Sequence, residues 1–422
     1  MVFAAGAARL GTVDWKPRLI DHAELDTVID LSTTVFGEGP AAPDFRRREL
    51  RAVIEVDRTF VVDDGEAIAG TGGSFTFDLA LPGTTLPISG VTEVGVLPTH
   101  RRQGVLTALM GALLDQAVEH GEPLAGLTAS EGTIYRRYGY GVAARRNTLL
   151  VDTTRSAELV DIAAPGRLRL LTVDRGAPLL PAVWEQHWRR TPGEVNRNQA
   201  WWEILAMDPE QDRDGDSALY LVVHEDEAGV ADGFAAYRLK DGFGPAHEWF
   251  ELHVIDFGAA DDGVEAALLR YLLDVDLVRQ VRWRVAPTDL ALRWRLVDAR
   301  AIQVVREVDH LWLRPLDIPR CLTARSYAAE GGGVVEVVDG RRPEVGGRFA
   351  LDAGPDGADC VRVTVEPDVT LDVADLGSLL LSGVSWAELQ RAGLVDEHLP
   401  GTVDRLDALF RPRRAPHCST GF

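Results

Sequence analysis

Cysteine is scarce in this chain, and its three residues lie far apart. Cys321, Cys360 and Cys418 form neither a CxxC pair nor a cluster with the spacing of metal ligands. They exclude a disulfide framework and a structural zinc site, and they indicate a reducing cytoplasm. Long apolar runs are also missing, since no stretch reaches the roughly 18 apolar residues of a membrane-spanning helix. The N-terminal MVFAAGAARLG has neither a basic leader nor a long apolar core, so we do not expect a targeting signal there.

Basic residues are in the minority, with 44 lysines and arginines against 65 aspartates and glutamates and a formal net charge of −21. This charge excludes nucleic acid and anionic lipid as partners, because like charges repel each other. It favours a cationic, polyamine-like substrate that binds near an acidic cleft. The alternative is that the charge serves only solubility.

The length of 422 residues exceeds what one ordinary hydrophobic core supports and predicts two or three domains. Apolar spacing predicts helices within residues 20–56, followed by a hairpin of strands at 59–63 and 67–77. A third strand, at 87–96, leads through a short loop into a long amphipathic helix that starts after Gly104. This order of elements predicts an α+β fold.

The same order of elements recurs further along the chain. A second hairpin is predicted at 220–224 and 233–239, and "ELHVIDFGAADDGVEAALLRYLLD" then repeats the strand, loop and helix of "EVGVLPTHRRQGVLTALMGALLD". When Gly104 is aligned with Gly263, the leucines on the apolar faces of the two predicted helices fall at matching positions. This alignment predicts an internal duplication. The alternative is a chance match between two amphipathic helices.

The loop of the first copy has the chemistry of an anion site. A loop that ends a strand and opens a helix presents unpaired backbone N–H groups at the positive end of the helix dipole, which suits a pyrophosphate. Gly104 lets that backbone approach a ligand closely, and Arg101 and Arg102 add positive charge. The second copy carries Asp261 and Asp262 in place of the arginines, so its anion site is expected to be lost. The alternative for the first loop is a solvated basic turn.

The C-terminal part of the chain follows a different pattern. Alternating apolar residues predict strands at 334–338, 347–352, 361–365 and 369–373, followed by helices at 375–381 and 386–392. The stretch "AEGGG" at 329–333 precedes them as a turn or flexible connection. These elements predict a third unit.

Two stretches resemble a known family. "VGVLPTHRRQGVL" is similar to the acyl-CoA pyrophosphate loop of the GCN5-related N-acetyltransferases (GNAT), whose pattern is arginine or glutamine, two residues, glycine, one residue, then glycine or alanine. Leu106 departs from the last position of this pattern. "ASEGTIYRRYGYG" resembles the matching segment of the Eis (enhanced intracellular survival) acetyltransferases within that superfamily.

This resemblance covers the whole chain. It implies an α+β fold of two tandem GNAT domains, the second degenerate, followed by a domain like sterol carrier proteins, with bounds of 1–157, 158–315 and 316–422. It also implies acetyl-CoA as co-substrate and no metal. The residues that would bind acetyl-CoA are Val94, Gly95, Val96, Arg101, Arg102, Gln103, Gly104, Val105, Leu106, Thr107, Ser130 and Glu131.

The resemblance further implies the acid and the base. Tyr135 falls on the family's general acid, which protonates the leaving thiolate of coenzyme A, and an unperturbed pKa of about 10 keeps it protonated at neutral pH. The base would be the C-terminal carboxylate, here on Phe422 at the end of "RRAPHCSTGF". Tyr138 and Tyr140 compete with Tyr135 for the role of acid and are otherwise expected to pack the loop. Without the resemblance, the tail would be interpreted as disordered.

Candidate residues for the acceptor are Phe36 and Glu38, because the end of the first helix usually shapes the acceptor pocket in this fold, and Thr128, which lies on the strand leading to Ser130. His100 and His120 could act as bases by residue type, but we expect both at the surface. The stretch "NQAWWEIL" is expected in the core or an interface of the central domain.

The sequence therefore predicts an acetyl-CoA-dependent N-acetyltransferase that acts by direct transfer on amines of polycationic substrates such as aminoglycosides. Two alternatives stay open: acetylation of protein lysines, and a carrier of an apolar ligand with a vestigial acetyltransferase domain. The resemblance also implies a homohexamer.

Overall fold

The structure is a computed structural model that describes residues 14–155, 159–160, 164–242 and 249–422, without the side chain of Asp212. Their contacts divide the chain into two units. The first unit contains the described residues up to Phe75 together with Val91–His120. The second contains Thr76–Gly90 and the described residues from Gly121 to Phe422.

The first unit contains the predicted helix pair, hairpin and long helix. Its elements are β1 (Arg18–Leu19), α1 (Leu25–Phe36), α2 (Asp44–Val53), β2 (Thr59–Asp63), part of β3 (Ile68–Leu81), part of β4 (Thr84–Val96) and α3 (Val105–Glu119). β2 pairs antiparallel with β1 and β3, as a hairpin requires. At its turn, the Asp64 carboxylate accepts hydrogen bonds from the backbone N–H groups of Glu66 and Ala67. Val105 and Leu109 of α3 pack on Val62 of β2, which fixes the start of α3 above the sheet.

The second unit begins with residues 76–90 of β3 and β4 and continues into a mixed sheet. Its strands are β5 (Leu124–Thr128), β6 (Gly141–Asp152), β7 (Arg167–Leu171), β8 (Tyr220–Glu225), β9 (Ala231–Asp241), β10 (Phe250–Ala259), β11 (Val278–Ala286) and β12 (Ile302–Pro315). From β4 the order is β4-β5-β12-β6-β11-β10-β9-β8-β7. The helices that accompany them are α4 (Val173–Gly176), α5 (Leu180–Arg190), α6 (Gln199–Met207), α7 (Asp262–Leu273) and α8 (Leu292–Arg295).

The predicted duplication is visible in this order of strands. In the second copy a hairpin, β8 and β9, precedes β10, and α7 joins β10 to β11, which pairs with β10 in parallel. In the first copy the hairpin of β2 and β3 precedes β4, and α3 joins β4 to its parallel neighbour β5. Because two parallel strands need a crossover connection, a helix between them has the same function in both copies.

The C-terminal part forms a separate sheet. Its elements are α9 (Ile318–Ala324), β13 (Gly331–Val338), β14 (Gly347–Gly354), β15 (Gly357–Val363), β16 (Val369–Asp372), α10 (Val373–Leu379), α11 (Trp386–Arg391), β17 (Val395–Glu397) and α12 (Thr402–Phe410). The strand order is β15-β14-β13-β16-β17. α10 begins two residues earlier than predicted, because the Asp372 carboxylate caps it by accepting from the N–H of Ala374 at 2.9 Å. The sequence analysis missed α12, although Val403, Leu406 and Phe410 have helical spacing and are buried.

The described residues contain no helix that is long and apolar enough to cross a membrane. Cys321, Cys360 and Cys418 are buried free thiols. A buried ion pair connects β12 to the C-terminal sheet: Arg314 and Asp339 lie 2.8 Å apart and both are almost fully shielded from solvent. Such a pair holds two elements in one arrangement, because breaking it would leave a charge without a partner in the interior.

Candidate active site

The loop before α3 has the geometry of an anion site. Gly104 precedes the helix with φ of 95°, a left-handed conformation that glycine adopts without strain. Among the described residues, no side chain caps this helix start. The first N–H groups of α3 are therefore available to a ligand, and the helix dipole favours a negatively charged one.

Neighbouring residues fix this loop. The indole Nε1 of Trp15 donates to the carbonyl oxygen of Gln103 at 2.8 Å, and the Gln103 side-chain amide donates to the carbonyl of Thr99 at 3.1 Å. Nε of Arg101 donates to the carbonyl of Val96 at 3.3 Å. Arg101 and Arg102 are both exposed, and Arg102 has φ of 63°. The guanidinium groups thus lie on a loop whose backbone is already ordered, which fits a pyrophosphate.

The strand that leads into the loop contains a second unusual backbone conformation. Glu93, just before Val94, has φ of 50°, and its carboxylate accepts a hydrogen bond from the Ser32 hydroxyl. A non-glycine residue in this region is strained and is found most often at functional sites. Gly95 is closely packed, since an added Cβ would lie 3.1 Å from the Val35 side chain.

Tyr135 begins a short 3-10 helix, Tyr135–Tyr138, in the loop after β5. Its side chain is 6 % exposed, and its ring packs edge-on against that of Tyr140 with 6.2 Å between the centroids. Burial raises the pKa of Tyr135 above its usual value, while a hydrogen bond to the Ser130 side chain lowers it. Ser130 and Glu131 are exposed. Tyr135 is therefore a buried phenol that stays protonated at neutral pH.

An ion pair holds the Tyr135 segment in place. Both guanidinium Nη atoms of Arg136 donate to the Asp375 carboxylate of α10, at 2.9 and 2.8 Å. Tyr138 is buried beneath the guanidinium groups of Arg137 and Arg341. Such a two-point contact limits rotation of the segment.

Tyr140 has no solvent exposure, and burial raises its pKa. Its hydroxyl has no hydrogen-bond partner among the described residues. Tyr138 and Tyr140 thus pack the loop, in agreement with the alternative considered from sequence.

The C-terminus of the chain is fixed at an edge of the second unit. A terminal oxygen of Phe422 accepts a hydrogen bond from the Thr128 hydroxyl, at the end of β5. The Phe422 ring packs against Phe77, with 5.1 Å between the centroids. Gly90 leaves room for both rings, since an added Cβ would lie 2.7 Å from Phe77 and 3.3 Å from Phe422. His417, Cys418 and Thr420 are buried, so the interpretation of the tail as disordered is wrong.

Sequence reasoning missed an aromatic cluster at the terminal residue, in which the Phe422 ring contacts Phe77 and Phe77 in turn contacts Trp201. Phe77 lies on β3, and Trp201 packs against it at 5.8 Å. Trp202, the next residue, belongs to a core cluster with Trp184 and Phe234. The predicted core position of "NQAWWEIL" is correct for Trp202. A helix with two adjacent tryptophans must direct them to different sides, and this was the available signal for a second role of Trp201.

The remaining candidates lie in the first unit. Phe36, the last residue of α1, is 45 % exposed, and Glu38 lies 3.8 Å from Arg46. Both stay predictions as acceptor residues. His120 is exposed as expected, and its Nδ1 lies 2.9 Å from a guanidinium nitrogen of Arg58. His100 is only partly exposed, because it pairs with Asp64 at 3.0 Å.

Replacing Arg101 and Arg102 together with alanine should raise the KM for acetyl-CoA by about tenfold to a hundredfold, because charge-assisted hydrogen bonds to phosphate are lost. The value of kcat should change little. Steady-state kinetics and the shift in melting temperature on adding coenzyme A measure this effect. Arg48→Ala, at an exposed site on α2, is the control. An unchanged KM in the double variant would exclude the loop as the pyrophosphate site.

Comparison with known proteins adds three domain matches. Residues 16–143 and residues 193–314 each match an acetyltransferase (GNAT) domain family, and residues 318–419 match a sterol carrier protein domain. The two GNAT matches correspond to the two copies of hairpin, strand, helix and strand. The first match includes the loop before α3 and Tyr135.

Full-length relatives are also similar. The chain is 37 % identical over 396 residues to an uncharacterized N-acetyltransferase of Streptomyces avermitilis, covering 92 % of this chain and 96 % of the relative. It is 32 % identical over 374 residues to the N-acetyltransferase Eis of Mycobacterium bovis, covering 85 % and 88 %. The crystal structure of Eis1 from Mycobacterium abscessus superposes with a TM-score of 0.85 at 32 % identity, covering 97 % of this chain and 100 % of that one.

Proposed function

The chain belongs to the Eis family of GCN5-related N-acetyltransferases, and from this premise we propose that it acetylates amines of polycationic substrates such as aminoglycosides. The GNAT fold implies the use of acetyl-CoA. The contact that carries the proposal is the hydrogen bond between the Thr128 hydroxyl and the terminal carboxylate of Phe422. It supports a catalytic role of the C-terminus, since it fixes a carboxylate that would otherwise move freely.

The first loop would hold the co-substrate. The backbone N–H groups after Gly104 and the guanidinium groups of Arg101 and Arg102 would bind the pyrophosphate, and the backbone of residues 94–96 would pair with the pantetheine arm. The co-substrate supplies a thioester carbonyl for attack by the amine. Ser130 and Glu131 remain candidates for contact with it.

Tyr135 would hold the proton for the leaving thiolate. Its phenol is neutral at physiological pH because burial raises its pKa, so it can donate. The Phe422 carboxylate would accept the proton of the attacking amine. Because a free α-carboxyl has a pKa of only about 3.5, it is a weak base and would act on an amine whose own pKa is lowered by burial, or through a water molecule.

Charge supports a cationic acceptor. The chain has a net charge of −21, which attracts polycations. Phe36, Glu38 and Thr128 are the proposed acceptor residues.

The family also provides three expectations about the protein as a whole. We propose domain bounds of 1–157, 158–315 and 316–422. We further propose a homohexamer and a cytoplasmic location.

The test is acceptor-dependent release of free thiol from acetyl-CoA, with neomycin as acceptor and a lysine-containing peptide as comparison. Faster release with neomycin supports the proposal. Faster release with the peptide would replace it by protein acetylation. If neither acceptor reacts and coenzyme A does not raise the melting temperature while a lipid does, the carrier alternative holds.

A further inference from the structure

The loop before α7 in the second acetyltransferase domain carries aspartates, whereas the corresponding loop of the first domain carries arginines. Asp261 accepts hydrogen bonds, at 2.8 Å each, from two backbone N–H groups in the first turn of α7. These first N–H groups of α7 therefore already have a hydrogen-bond partner within the chain. Asp262 faces two guanidinium groups, Arg190 at 2.6 Å and Arg414 at 2.9 Å. A loop with these contacts binds cationic side chains and disfavours a pyrophosphate.

Arg414 belongs to the C-terminal tail, defined here as residues 413–422. Its guanidinium also lies 3.6 Å from Glu265 of α7. The next residue, Ala415, donates its backbone N–H to the Asp289 carboxylate at 2.7 Å. The tail thus pairs with acidic groups of the second domain before it reaches Phe422.

The tail lies at the point where strands β10 and β11 of that domain separate. The parallel pairing of β10 with β11 runs as far as Val254 and Trp283. Just beyond, a cavity of about 230 Å³ remains, lined by Ile255 and Phe257 on the strands and by His417 and Ser419 of the tail. In the duplication, Ile255 corresponds to Val96, which is predicted to pair with the pantetheine arm. The tail therefore borders the position that the co-substrate would take in the other copy.

A short segment before α6 binds the end of the tail. This clamp segment, residues 192–197, accepts the N–H of His417 on the carbonyl of Pro192 at 2.8 Å. Gly193 has φ of 97°, and an added Cβ would lie 2.8 Å from the His417 carbonyl oxygen, so only glycine permits this approach. Fully buried Glu194 accepts the N–H of Ser419 at 2.7 Å.

Arg197 makes the strongest contacts of the clamp segment. Its Nε donates to the Thr420 hydroxyl at 2.9 Å, and one Nη donates to the Ser419 hydroxyl at 3.1 Å. Its other Nη donates to Asp256 at 2.5 Å, and its guanidinium stacks over the Trp184 ring at 3.7 Å. The guanidinium is buried and held by Asp256 and Trp184, which are not part of the tail, so these contacts orient it toward Ser419 and Thr420.

We infer that the second acetyltransferase domain is the receptor for the C-terminal tail, and that Arg197 is the positioning residue that sets the terminal carboxylate of Phe422. The catalytic part of this inference rests on the proposed function. Arg197 acts through Thr420, two residues before the carboxylate. The charge reversal of the loop thus gives the degenerate copy a function of its own, which is to hold the end of the chain.

Carboxypeptidase A, which removes a C-terminal phenylalanine from accessible chains, measures tail docking without any acetyl transfer. In the full-length protein, Arg197→Met should release Phe422 about tenfold faster or more, because hydrogen bonds from a charged donor are lost. Thr420→Val removes the hydrogen bond between Arg197 and the Thr420 hydroxyl and should also speed the release of Phe422. Arg197 stays paired with Asp256 in this variant, so the fold is preserved. Thr420→Ser retains the hydroxyl and should restore the slow release. Arg189→Met, on exposed Arg189 that pairs with Glu185, is the control and should match wild type.

Turnover by the same variants tests the catalytic part. Thr420→Val should lower kcat severalfold with an unchanged KM for acetyl-CoA, and Thr420→Ser should restore it. Equal release of Phe422 from Arg197→Met and wild type would overturn the inference. Faster release without a loss of kcat would retain the docking of the tail but overturn Arg197 as a positioning residue. Deletion of Phe422 tests the terminal carboxylate as base separately, so failure of the proposed mechanism and failure of the receptor are distinguishable.

Discussion

Tyr135→Phe should lower kcat by about a hundredfold to ten-thousandfold, which is the usual contribution of a general acid. The substitution removes one hydroxyl and retains the ring that packs against Tyr140. The variant lacks the hydroxyl proposed to protonate the leaving thiolate, while the loop proposed to bind the pyrophosphate is untouched. The measurement is thiol release at saturating acetyl-CoA and acceptor, together with the melting-temperature shift caused by coenzyme A, which should persist.

A control variant and the pH dependence of activity also test the role of Tyr135. Tyr138→Phe removes a neighbouring buried hydroxyl and should leave kcat nearly unchanged, so it is the matched control. Because the pKa of Tyr135 is raised above its usual 10, the acid form is lost only above that pH, and a loss of activity near neutrality must come from another group. Wild-type turnover in Tyr135→Phe would remove Tyr135 from its role.

Deletion of Phe422 should reduce turnover to a similar extent, since it removes the carboxylate that accepts from Thr128 and the ring that packs on Phe77. A general base contributes about a hundredfold to ten-thousandfold. The loss should appear in kcat, because the residues proposed to bind the pyrophosphate remain in place. Thiol release by the full chain and by the deletion variant measures it.

Two other variants separate the carboxylate from the ring. Adding one glycine after Phe422 retains the ring but moves the terminal carboxylate, and it should be as damaging as the deletion. Phe422→Leu keeps the carboxylate in place with an apolar side chain, and it should retain more than about a tenth of the activity, since only part of the packing is lost. High activity after the glycine extension would send the search for a base elsewhere in the protein.

Local pattern was sufficient for much of the fold. The hairpin turn at Asp64, the start of α3 after Gly104 and the repeated order around Gly263 follow from residue spacing and turn chemistry, which act over a few residues. Strand ends are less accessible to local pattern: β6 begins at Gly141, and its first residues pair with β12, far away in sequence. Pairing between distant strands is not encoded in local spacing.

The candidate site likewise has one part that local sequence pattern predicts and another that it does not. The geometry of the loop before α3 could be predicted, because a glycine between a strand and a helix acts through local backbone conformation, whereas its role as an anion site stays a prediction. Tyr135 and Phe422 came from resemblance alone, and nothing in the residues themselves distinguished Tyr135 from Tyr138 and Tyr140. All three side chains are buried, and the Tyr140 hydroxyl has no hydrogen-bond partner in the described part of the chain, so the assignment of Tyr135 as the acid stays a prediction.

By itself the sequence determined an acidic α+β chain with a duplicated strand-loop-helix unit, one copy with arginines and the other with aspartates in its loop. Only the tertiary structure showed that Asp261 accepts from backbone N–H groups of α7 and that Asp262 pairs with arginines. It alone also showed that Phe422 contacts Thr128 and Phe77. Thr128 and Phe422 are separated by 294 positions, and Arg197 and Thr420 by 223. Hydrogen bonds over such separations depend on how whole domains pack, whereas periodicity and turn chemistry report only on neighbouring residues.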